Sequence, residues 1–124
     1  MSAAEQADSQ ETAKEAAEHA YTRGAYPHVL DGRRAVDKTS TLSAIAEALS
    51  FPDYFGHNLD ALYDCLTDLA WLPVGEHVLI WAGSDALRAK EPKAYLAIRS
   101  VLSDAQRAFD PGDSRRFSVV LTDS

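Results

Sequence analysis

Apolar positions recur along the chain in blocks whose period changes from two to 3.6 and back. Pro27-His28-Val29-Leu30-Asp31-Gly32 predicts a short strand running into a turn. Leu42, Ile45, Ala46 and Leu49 then fall at i, i+3, i+4 and i+7, the mark of a helix burying one face, with Thr39-Ser40-Thr41 as its capping candidates and Pro52 as its stop. After a loop over 51–57, Asn58 is placed to cap a second helix over about 59–70, which Pro73 and Gly75 close. His77-Val78-Leu79-Ile80-Trp81 is a continuous apolar run and predicts a strand covered on both faces. A short helical turn reaches Lys90. Pro92 opens a long helix with Tyr95, Ile98, Leu102, Ala105 and Phe109 on one side, and Phe117-Ser118-Val119-Val120-Leu121 gives a third strand.

Each connection between strands exceeds the roughly dozen residues that a parallel crossover needs. The order therefore predicts an α/β fold, a three-stranded parallel β-sheet flanked by helices. Residues 1–24 differ: they are rich in Ala, carry Glu5, Asp8, Glu11, Glu15 and Glu18, and contain no Leu, Ile, Val or Phe. Their propensity is helical, but Ala16, Ala20 and Tyr21 make only a thin stripe. The expectation is a solvated helical or flexible extension that contributes little to the core, with the domain proper over 25–124.

The length, 124 residues, suits one domain, and 46% hydrophobic with 25% charged residues is globular usage. No apolar run approaches the roughly 20 residues of a membrane span. The start, MSAAEQADSQ, lacks a signal-peptide pattern, and Cys65 has no second cysteine to pair with. Together these predict a cytoplasmic protein. A monomer is the expectation for the free chain. The net charge of −7 disfavours direct nucleic-acid binding and suits either plain solubility or a basic partner.

Much chemistry is excluded. Every glycine is isolated, so no phosphate loop or dinucleotide fingerprint can be written, and no CxxC or HExxH spacing exists. Cys65 and His57 pair a thiol with a base only superficially, because Cys65 falls beside the leucine face of its helix. No cofactor and no catalytic residue are expected.

The informative segment is the helix after Asn58. Leu59, Leu62, Leu66 and Leu69 share one side, while Asp60, Asp64 and Asp68 stack down the other, flanked by Tyr63 and Thr67. Asp60 gains from the helix dipole, but Asp64 does not and Asp68 sits near the negative end. Each i,i+4 like-charge pair costs about 0.2–0.5 kcal/mol. Residues 39–87 contain no Lys or Arg to relieve it. In the loop before the helix, Phe51 and Phe55 either plug the core or anchor a partner, and Tyr54 is a surface candidate. Three uses of this surface are open: a metal held by His57, Asp60 and Asp64; acid–base chemistry by two carboxylates; or a protein-binding face that mimics a polyanion. The last fits best, since no cleft or second shell accompanies the carboxylates.

The block from Phe51-Pro52-Asp53-Tyr54-Phe55-Gly56-His57-Asn58 through Leu59-Asp60-Ala61-Leu62-Tyr63-Asp64-Cys65-Leu66-Thr67 closely resembles the signature of the barstar family, small cytoplasmic inhibitors of secreted, guanyl-preferring ribonucleases of the barnase type. Val78-Leu79-Ile80-Trp81 resembles its second strand, and the likeness runs over roughly 28–121. The resemblance implies the same three-stranded sheet and an intracellular, non-enzymatic inhibitor that occludes a basic secreted ribonuclease one to one. It implies that Tyr54, Gly56, Asn58, Leu59, Asp60, Tyr63 and Asp64 form the binding loop and helix, with Thr67 and Asp68 beside them. The aspartate matching Asp64 fills the nuclease's phosphate pocket, and Asp60 engages a neighbouring arginine. Asp104, on the long helix, stands where the family has a further acidic contact. Three departures distinguish this chain: Tyr63 where the best-known member has tryptophan, His57 in place of an acid, and Asp68 in place of glycine. They leave room for an alternative, an immunity-type or regulatory protein that turned the same scaffold toward a different toxin or basic partner.

Overall fold

The computed structural model describes residues 11–123. Three parallel strands, β1 (Tyr26–Asp31), β2 (Gly75–Ala82) and β3 (Arg115–Thr122), lie in the order β1-β2-β3, so β2 is central. Helix α1 (Ala13–Thr22) precedes β1. Helices α2 (Lys38–Ala48) and α3 (Leu59–Asp68) form the first crossover, after a 3-10 turn at Gly32–Arg34. Helices α4 (Asp85–Lys90) and α5 (Pro92–Arg107) form the second. The expected fold class is the observed one.

The strand period sorts side chains onto two faces. Leu30, Leu79, Trp81 and Phe117 enter the main core with Leu42, Ile45, Leu62, Leu66, Ile98 and Leu102 from α2, α3 and α5. Helix α3 packs against α5 and is carried on its surface. The opposite face presents Val78, Ile80 and Val120, and here an expectation needs correction. Helix α1 is not a solvated appendage: Ala16 and Ala20 are buried against that face, with Ala25 behind them. Alanine's small side chain removes little area itself, but it lets the helix approach closely enough to shield Val78 and Ile80 from water. A capping box between Thr12 and Glu15 starts α1, and those hydrogen bonds hold the Glu15 carboxyl below its usual range. At its other end Arg23 donates to Glu76 at 3.3 and 3.1 Å, and Ser118 donates to the same carboxylate at 2.9 Å.

Two local readings are also corrected. Asp37, rather than Thr39-Ser40-Thr41, caps α2, accepting from the Ser40 amide at 2.7 Å. The helix ends at Ala48, before Pro52 acts, because Ser50 turns into the left-handed region at φ 55°. Pro52 instead opens the next turn, its carbonyl accepting from the Phe55 amide at 3.0 Å.

Candidate functional site

The loop over 51–58 is built on aromatic packing. Phe55 is buried, and Phe51 meets it edge-on at 4.9 Å and Trp71 edge-on at 5.7 Å. Of the two uses open to these phenylalanines, filling the core beneath the loop is the one found. Trp71 was not singled out by the sequence, yet its Nε1 donates to the Leu49 carbonyl at 2.9 Å and closes the base of the loop. His57 sits at φ 51° with its ring 4.7 Å from that of Phe55.

Asn58 is spent on structure. Its side-chain oxygen accepts from the Ala61 amide at 2.8 Å, capping α3, and its amide donates to the Gly56 carbonyl at 3.2 Å. A Cβ at Gly56 would stand 3.2 Å from that same amide nitrogen, so a larger residue crowds the cap. From this cap α3 runs for ten residues and stops at Leu69, which is fully buried in the left-handed region at φ 53°. Leu62, Cys65 and Leu66 face inward. Burial pushes the Cys65 thiol up, and the charges of Asp68 and Asp64 add to it, which leaves the thiol protonated and inert.

Outward, Asp60, Asp64 and Asp68 are all exposed, and among the described residues none has an ion pair or a hydrogen bond from its side chain to another group. Tyr54, at 75% exposure, and Tyr63, at 38%, lie beside them. Thr67 donates its hydroxyl to the Tyr63 carbonyl at 2.8 Å, and Leu59 is half-buried against the core, so both offer only part of their surface. Asp104 is different. It lies on α5 and is paired with Arg107 of the same helix. Among the described residues no group of three or more His, Cys, Asp and Glu side chains is arranged to hold a metal, so His57, Asp60 and Asp64 do not converge as a ligand set.

The surface consists of a pinned loop, two accessible phenols and a ladder of carboxylates on a helix whose far side is locked in the core. Among the described residues no helix is long and apolar enough to cross a membrane.

Comparison with known proteins bears on the same stretch. Residues 25–122 match the family model described as Barstar (barnase inhibitor). The chain is 44% identical over 46 residues to the "Putative ribonuclease inhibitor YrdF" of Bacillus subtilis (strain 168), an alignment covering 37% of this chain and 50% of that protein. The match thus spans half the length of that relative. On the extent of the family match, over a chain whose sheet, crossovers and capped acidic helix stand as described, this protein belongs to the barstar family.

Proposed function

We propose that this chain inhibits a secreted ribonuclease of the barnase type by laying the outer side of α3 and the preceding loop across the enzyme's active site, one inhibitor to one enzyme, with no catalysis of its own. The observation that carries this reading is the set of three carboxylates, Asp60, Asp64 and Asp68, left without partners among the described residues on a helix that lies in a cation-free stretch of sequence. A ribonuclease cleft is lined with cations to hold phosphate, and in the free enzyme those cations repel one another. A carboxylate ladder relieves that repulsion and excludes RNA by the same contact. Opposed fields also speed encounter, as they do in the barnase–barstar pair after which the family is named.

Within this reading Asp64, in mid-helix, is the anchor in the phosphate pocket, and Asp60 meets a neighbouring cation. Tyr54, Gly56, Leu59 and Tyr63 supply contact area, and Thr67 and Asp68 border it. Asn58 acts by holding the loop and helix in register. Asp104 contributes only if Arg107 shares it. The test is a titration of the purified protein against a barnase-type ribonuclease and a Streptomyces-type guanyl-specific ribonuclease, following RNA cleavage. Loss of activity that is complete at equimolar inhibitor supports the proposal, and undiminished cleavage in excess inhibitor rejects it.

A further inference from the structure

Strand β3 lies at an edge of the sheet, with β2 on one side only. The Gly75 amide donates to the Ser114 carbonyl at 2.8 Å, and the Gly83 amide donates to the Thr122 carbonyl at 2.9 Å. Even-numbered residues of β3 therefore turn their main-chain groups toward β2. The alternation of a strand sends those of Phe117, Val119 and Leu121 outward. Among the described residues no strand pairs with that outer row. Gln106, Phe109 and Pro111 border it and leave an open cleft along Arg116–Ser118.

An open row of this kind is a template for another strand, and its residues indicate which one. Phe117-Ser118-Val119-Val120-Leu121-Thr122 contains no charge, no proline and no glycine, and it is rich in β-branched and aromatic side chains. Segments of that composition pair with their own copies. The other edge, β1, is shorter and carries Pro27, which has no N–H to give.

Charge fixes the register. Antiparallel pairing of two copies about Val119 sets Phe117 opposite Leu121, and Arg115 opposite Asp123 of the second copy. Arg115 is held at its end of the strand by its Nε bond to the Leu72 carbonyl at 3.0 Å, and Asp123 is exposed. Opposite charges facing across strands attract, and like charges repel. Sliding one strand by two residues sets Asp123 opposite Asp113 or opposite Phe117, and either way the attraction is lost. In the register about Val119 the outward groups of Phe117, Val119 and Leu121 all form hydrogen-bonded pairs. The edge is thus self-complementary about a two-fold axis, which closes at two copies.

One side chain stands in the way. Gln106, exposed on α5, reaches the edge, and its Oε1 accepts from the Val119 amide at 3.0 Å. That donor lies at the axis of the pairing, and each copy would have to release it. We propose that the outer edge of β3 is a docking surface for a second copy of this chain, antiparallel about Val119, and that the Gln106 side chain guards it and keeps the protein monomeric. The guard acts away from the carboxylates of α3 and does not depend on the inhibitor reading.

The test is sedimentation equilibrium of the full chain from about 10 µM to about 1 mM in about 150 mM NaCl, for the parent, Gln106→Ala and the double variant Gln106→Ala, Asp123→Lys. Alanine suits the helix and removes the acceptor. The parent should sediment as a monomer up to about 100 µM. Gln106→Ala should dimerise with a Kd at least about fivefold below that of the parent, because two guards, each one neutral hydrogen bond, no longer have to be given up. Adding Asp123→Lys should abolish the gain, since two cations then face each other across the strands. A parent already dimeric at about 10 µM, or Gln106→Ala associating no better than its parent, overturns the proposal. Association that Asp123→Lys leaves unchanged, or that runs past two copies, overturns it as well. Amide exchange at about 10 µM checks the guard in the monomer: the Val119 amide should exchange at least about twofold faster in Gln106→Ala than in the parent, and equal rates overturn the guard.

Discussion

Replacing Asp64 by Asn should move stability and inhibition in opposite directions. In the free protein Asp64 lies one turn from Asp60 and one turn from Asp68, exposed and without a cation partner among the described residues. Each such pair costs about 0.2–0.5 kcal/mol, so removing the shared member relieves about 0.4–1 kcal/mol. Asn and Asp have similar helix propensities and similar shapes, which leaves little else to change. In the complex the same substitution strands a buried cation of the enzyme, a loss of about 3–5 kcal/mol, or between two and nearly four orders of magnitude in Kd. Urea unfolding of parent and Asp64→Asn at about 20 mM and about 500 mM NaCl measures the first effect, and its screening at high salt identifies it as electrostatic. An inhibition titration measures the second. A variant less stable than its parent at low salt would show instead that the carboxylate has a stabilising partner within the chain.

Other consequences are quick to check. Deleting residues 1–24 uncovers Val78 and Ile80, and the melting temperature should fall by more than about 5 °C; an unchanged thermal transition would show that α1 does not shield the sheet. Ser50→Gly should raise stability by up to about 1 kcal/mol, because serine at φ 55° carries a strain that glycine lacks, and a destabilised variant in urea unfolding would contradict that conformation. In acid, the Arg33 hydrogen bonds to Asp31 hold its carboxyl down at about 2, and Arg23 and Ser118 lower that of Glu76. Both contribute stability that is complete above the unfolded carboxylate range near pH 4 and lost as pH falls toward 2. Circular dichroism melts across that range should show the decline, and Asp31→Asn should flatten it.

The acidic ladder was readable because leucines at 59, 62, 66 and 69 and aspartates at 60, 64 and 68 obey one helical period, and Asn58 is a strong cap. The docking of α1 was not read from its own residues, since alanines bury little and leave a weak stripe. A signal existed elsewhere: the unbroken apolar run Val78 to Trp81 demanded a cover for each face of the sheet, and residues 1–24 were the stretch still unassigned. The left-handed turns at Ser50, His57 and Leu69 gave no local sign, because no glycine marks them; tertiary packing around Phe51, Phe55 and Trp71 imposes them. The hydrogen bond between the His28 and His77 rings, at 2.9 Å, joins residues 49 apart in sequence, and strand register brings them together.

The central claim is that the outward carboxylates of α3 are held ready for a cationic active site. The most direct measurement is the equimolar titration of a barnase-type ribonuclease with the parent, Asp64→Ala and Asp68→Ala, read as residual RNA cleavage. Stoichiometric silencing by the parent is expected, with inhibition weakened at least about a hundredfold by Asp64→Ala and far less by Asp68→Ala. Equal, slight effects from the two substitutions, or RNA cleaved at the uninhibited rate beside the parent protein, would contradict it.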